Sequence, residues 1–124
     1  MKKTLLAASK RFLLPAIWLG CITWLSTKGG VSLPSFSLIG IDKLGHAAAY
    51  GLLVGLLHTA FPPANQRQAV GIWLFASMYG AFMECIQYTF FPNRMFEFDD
   101  MLANAIGALL VWGVFWVKKI NRKR

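Results

Sequence analysis

The residues able to do chemistry in this 124-residue chain are few and concentrated. Asp42, Lys43, His46 and Tyr50 come first. Positions 42, 46 and 50 repeat at i, i+4, so on a helix they form one stripe, with Lys43 beside it. Glu84 and Gln87 follow, then Arg94 after Pro92-Asn93, then Asp99, Asp100 and Asn104. A carboxyl and an imidazole, Glu84 and His46, could serve as an acid/base pair. Lys43 and Arg94 could hold a phosphate or carboxylate through charge-assisted hydrogen bonds. No nucleophile is evident: Cys85 points about 100° around the helix from Glu84, and the nearby serines precede Asp42 in a loop. Metal-ligand spacing and a phosphate-cradling glycine loop are missing from the sequence, so no metal and no cofactor is expected.

The elements that carry these residues are apolar. The chain is 56% hydrophobic and only 15% charged, where a soluble domain needs roughly a quarter of its residues charged to cover its surface. No charge interrupts residues 12–27, 44–66, 68–83 or 101–117, and about 17 to 25 apolar residues suffice for a helix to cross a bilayer. The fold class expected is all-α integral membrane, a single domain with a four-transmembrane-helix bundle. Its spans fall at about residues 12–27, 42–61, 69–91 and 99–117. Pro15 is expected in the first turn of span one, and the first helix is expected to be uncleaved, since Lys10 and Arg11 break up any signal-like start. Residues 31–41 are expected as a loop along the membrane surface, and 63–67 as a tight turn. Gly51-x-x-x-Gly55 and Ala103-x-x-x-Gly107 are expected to pack helices closely. Cys21 and Cys85 lie within spans, where thiols are small buried hydrophobes, so no disulfide is expected.

The net charge of +8 does not describe a nucleic-acid surface, because the basic residues cluster at the chain ends. With both termini cytoplasmic, ten of the thirteen basic residues fall inside and Lys28, Lys43 and Arg94 outside, as the positive-inside rule requires. Span two then descends from the outer surface, with His46 about 6 Å and Tyr50 about 12 Å below Asp42 at 1.5 Å per residue. Glu84 and Gln87 lie about 10 Å and 6 Å below the outer end of span three, and Asn104 one turn below Asp100 on span four. Three helices thus bring polar groups to one depth. Buried ionisable groups are costly in a bilayer and mark function there. Glu84 is expected to be protonated, hydrated or paired with Arg94, Lys43 or His46. Glu97 and Asp99 are expected as solvated loop acids, and His58, Tyr79 and the tryptophans as packing or interfacial groups.

With these residues in view, the chain resembles the VanZ-like family of small bacterial membrane proteins over about residues 41–113. The resemblance rests on Asp42-Lys43-x-x-His46-x-x-x-Tyr50, Glu84-x-x-Gln87, Arg94, and Asp100-x-x-x-Asn104 with Gly107. Ala47 stands where the family often has an aromatic, and Asn93 where it often has glycine. The resemblance implies a multi-pass protein of the bacterial cytoplasmic membrane, in a family named for a protein conferring resistance to teicoplanin. The reading placed first is an outward-facing polar site that binds an envelope lipid headgroup, a lipid-linked wall precursor or a lipoglycopeptide. Its binding residues would be Asp42, Lys43, His46, Tyr50, Glu84, Gln87, Arg94, Asp100 and Asn104. A membrane-embedded hydrolase or transferase, with Glu84 and His46 as acid and base, is the alternative, and a proton-coupled transporter ranks third. Membrane lipids are the expected partners and nucleic acid is not; the sequence is compatible with a homo-oligomer.

Overall fold

A computed structural model describes the backbone of residues 2–28, 40–92 and 94–124, with side chains from Lys10 onward. Among the described residues the chain is four helices: α1 (Lys2–Thr27), α2 (Ile41–Ala60), α3 (Gln66–Phe90) and α4 (Phe98–Arg122). The surface loop expected at 31–41 lies, up to residue 39, outside the described residues.

Two helix ends are dictated by proline. Phe61 precedes Pro62 and Phe91 precedes Pro92, and a residue before proline is driven out of the α region. Both leave the α region, with φ −124°, ψ 74° at Phe61 and the extended φ −114°, ψ 104° at Phe91. The start of α3 differs from expectation. Helix begins at Gln66, inside the segment read as a turn, because Asn65 caps it: its side chain accepts the Gln68 N–H at 3.0 Å, while the Gln68 side chain accepts the Ala64 N–H at 2.8 Å. Helix α1 starts at Lys2, since the residues before 12 hold good helix formers and no breaker. Pro15 is therefore in the helix interior, not its first turn, and removes one backbone hydrogen bond there. Helix α4 continues through Lys118 and Lys119 to Arg122.

Helix α2 packs most extensively on α4, and also meets α1 and α3; α3 packs on α4 and touches α1, while α1 and α4 do not meet. The α2–α4 approach is set by missing side chains. A Cβ on Gly107 would lie 2.5 Å from Ala47 Cα, and one on Gly51 would lie 3.1 Å from the Gly107 carbonyl oxygen. Two indoles cross between neighbours, Trp18 donating to the Ala49 carbonyl at 2.8 Å and Trp73 to the Ala105 carbonyl at 3.1 Å. Helix α1 is also tied to α3 through the Thr23 and Tyr79 hydroxyls. Tyr50, Leu53, Val54, Leu57, Ala76 and Ala108 form the core with Ile22.

The outer surface is apolar on every helix: Leu14 and Leu25, Leu44 and Leu52, Phe75 and Phe82, Leu110 and Val117 are all exposed. Helices α3 and α4 are each long and apolar enough to cross a membrane. At 25 residues, each extends about 37 Å, against a hydrocarbon core of about 30 Å.

Gly107→Ala is expected to force α2 and α4 apart and to cost about 1–3 kcal/mol or more, the usual penalty of overpacking. Gly113→Ala meets nothing within 4 Å and should be neutral or stabilising. Thermal unfolding of the two variants in one detergent makes the comparison.

Candidate functional site

The first turns of α2 and α4 face each other, and their polar side chains interlock. Asp100 is the centre. It is 6% exposed, and one carboxylate oxygen lies 3.3 Å from Lys43 Nζ while the other lies 3.4 Å from His46 Nε2. His46 Nδ1 lies 3.0 Å from Asn104 Oδ1, one helical turn beyond Asp100. Both ring nitrogens of His46 are therefore occupied by α4 groups. Lys43 also lies 3.7 Å from Glu97.

Helix α3 completes the assembly by yielding space. Gly80 sits where a Cβ would be 2.7 Å from Asn104 Nδ2 and 3.1 Å from Tyr50 Cε1, so Asn104 and Tyr50 both press on the bare backbone. Further along α3, the Glu84 side chain, 4% exposed in total, accepts the backbone N–H of Glu97 at 2.8 Å. Glu97 occupies the N-cap of α4 and makes no capping bond with its own side chain, so Glu84 anchors the start of α4 through that amide. The buried Gln87 donates to the Ser26 carbonyl of α1 at 2.9 Å.

Of the residues singled out from sequence, Lys43, His46, Asp100 and Asn104 are joined in one network, and Tyr50 packs at its base. Glu84 and Gln87 lie at the same end but are spent on backbone groups. The pairing of Glu84 with Arg94, Lys43 or His46 is not formed among the described residues; the turn before α4 supplies a backbone donor first. Asp42 is exposed, its carboxylate grouped with those of Glu97 and Asp100 within 4.8 Å. The protein's own Lys43 ammonium serves two of the three. Arg94 is half-buried, its backbone N–H bonded to the Phe91 carbonyl at 3.3 Å, and its guanidinium forms no ion pair among the described residues.

Two participants escaped the sequence reading. Glu97 was expected to be a solvated acid, yet it pairs with Lys43 and lends its amide to Glu84. Its position just ahead of Asp100, opposite Lys43, is the signal that could have found it. Gly80 is the other: a glycine inside an apolar helix costs about 1 kcal/mol relative to alanine, which calls for a packing reason. At the opposite end, His58 donates to the Val54 carbonyl at 3.0 Å and packs on Phe115, with ring centroids 4.8 Å apart, as a packing group should.

The VanZ/LLP1 family model matches residues 5–119. The chain belongs to that family. The match takes in most of α1, which the motif resemblance had left out, and so covers the helix that receives Gln87 and supplies Trp18. No curated protein and no solved structure matches this VanZ/LLP1 family member.

Burial, then the Asp100 charge, raise the Glu97 carboxyl above its ordinary value, against the pull of Lys43. The folded state therefore disfavours the ionised form, and the resulting destabilisation is absent below the ordinary carboxylate pKa and grows as pH rises through the raised one. Glu97→Gln should flatten the acid-range slope of stability against pH, by a small amount because the side chain is 50% exposed and screened. For the anchor, Glu84→Gln keeps an oxygen that can accept the Glu97 N–H and should unfold near the parent temperature. Glu84→Leu strands that donor and should cost about 1–3 kcal/mol.

Proposed function

We propose that this VanZ/LLP1 family member is a four-span protein of the bacterial cytoplasmic membrane with both termini inside. Its polar cluster at the start of α2 and α4 binds the polar headgroup of an envelope lipid, a lipid-linked wall precursor or a lipoglycopeptide. In that role it contributes to envelope function and to tolerance of teicoplanin-type glycopeptides. The apolar exterior of all four helices and the concentration of basic residues at the opposite end support the topology.

One observation carries the reading: a buried polar network gathers at one end of an apolar bundle, and beside it stands a cation with no acidic partner among the described residues. That cation is Arg94. Lys43, the basic group within the network, is already held by Asp100 and Glu97, and Lys28 at the end of α1 lies over the Trp24 ring, so Lys43 organises the site while Arg94 meets the anion. A hydrolase built on Glu84 and His46 draws less support. Glu84 is committed to the Glu97 amide and His46 to Asp100 and Asn104, so neither is poised to exchange a proton with the other.

Arg94→Ala should leave expression and thermal stability unchanged while reducing the anionic lipid that co-purifies and the glycopeptide tolerance of expressing cells. Lys43→Met should instead lower stability. Unaltered lipid retention and tolerance in a well-expressed Arg94→Ala protein would refute the reading.

A further inference from the structure

The end of the bundle farthest from the polar network carries basic side chains and no Asp or Glu. All five acids, Asp42, Glu84, Glu97, Asp99 and Asp100, lie at the other end. Asp100 and Lys118 are separated along α4 by about 27 Å at 1.5 Å per residue, several times the Debye length of about 8 Å at physiological salt. Arg67, Lys118, Arg122 and Lys123 are all exposed.

The position of these cations is fixed by Lys119. Its ammonium donates to the carbonyls of Pro63 and Ala64, so one basic side chain clamps the last turns of α4 to the α2–α3 turn. Lys119 also lies over the Trp116 ring, 5.6 Å from its centroid, and Trp116 stacks on Trp112 with centroids 6.0 Å apart and planes 4° apart. Residues 112, 116 and 119 follow i, i+4, i+3 steps and share one face of α4, with Arg122 and Lys123 continuing it outward. Stacked indoles followed one turn later by cations reproduce the profile of a bilayer interface, aromatic at the glycerol level and basic at the phosphates. Arg67, in the first turn of α3, lines a shallow open cleft with Gln66 and Val70 at this same end.

We propose that this end of the bundle is a binding site for an anionic phospholipid. Arg67, Arg122 and Lys123 receive the phosphate, and the half-buried Trp116, backed by the core-packed Trp112, supports the glycerol and upper acyl region. The occupant is set by charge complementarity: four exposed cations without an acidic side chain select an anionic over a zwitterionic headgroup, and the half-buried Trp116 beside them selects a lipid over a free phosphate. The site is separate from the headgroup site assigned to Arg94 and does not depend on it.

The test uses the full chain in nanodiscs of phosphatidylcholine mixed with phosphatidylglycerol, reading retained lipid by native mass spectrometry. The parent protein is expected to retain phosphatidylglycerol several-fold over phosphatidylcholine, with the preference falling as salt rises. In the Arg67→Gln, Arg122→Gln, Lys123→Gln variant the ratio should fall several-fold, and these exposed positions leave folding intact. Lys28→Gln, at an exposed cation on the opposite end of the bundle, should keep the full preference. Equal retention of the two lipids by the parent, an undiminished preference in the triple variant, or loss of it in Lys28→Gln would overturn the assignment. So would displacement by soluble glycerol phosphate as effectively as by the lipid.

Discussion

The network around Asp100 depends on how closely α2 and α4 approach. With glycine at 107 resting against the Ala47 backbone and glycine at 51 against the Gly107 carbonyl, the two helices run nearly backbone to backbone. Only then can Asp100 and Asn104, short side chains, reach Lys43 and His46 across the interface. In lipid, where no hydrophobic effect presses helices together, such contact relies on van der Waals packing and interhelical hydrogen bonds. Here each enables the other. The glycines bring the polar groups within bonding distance, and those bonds hold the glycines in register.

Helix α3 enters on different terms. It contributes a vacancy at Gly80 where Tyr50 and Asn104 meet, and a long carboxyl that reaches the turn before α4. Helix α1 is fastened largely through backbone carbonyls, those of Leu19 and Ser26 accepting from α3 and that of Ala49 accepting from Trp18. A carbonyl already used within its helix has a second lone pair, so these ties cost the helices nothing internally.

What could be read from the sequence follows from what each signal records. Spacing at i, i+4 records a shared face, and it placed Asp42, His46 and Tyr50 on one helix stripe and Asn104 below Asp100. Apolar runs and prolines recorded four helices and the ends of α2 and α3. Counting turns gave a common depth for three helices. None of these records which groups touch across helices. The partner of Glu84 was sought among side-chain charges, yet it is the Glu97 amide, a group every sequence position offers and therefore none advertises. Helix starts differ from the uncharged runs for a related reason: the Asn65 cap and the helix-forming residues before Phe12 are local propensities, which the absence of charge does not record.

The grip of Glu84 on the Glu97 amide also bears on Arg94. That residue is held by its own N–H on the Phe91 carbonyl and, three residues later, by the Glu84 anchor, so its backbone is fastened on both sides. The ordering entropy of its backbone is therefore met during folding and would not be charged again by the anion proposed for it. On the proposal that Arg94 meets an anion, only its side chain remains to be ordered on binding, and the reach of that one side chain bounds the anions it can meet.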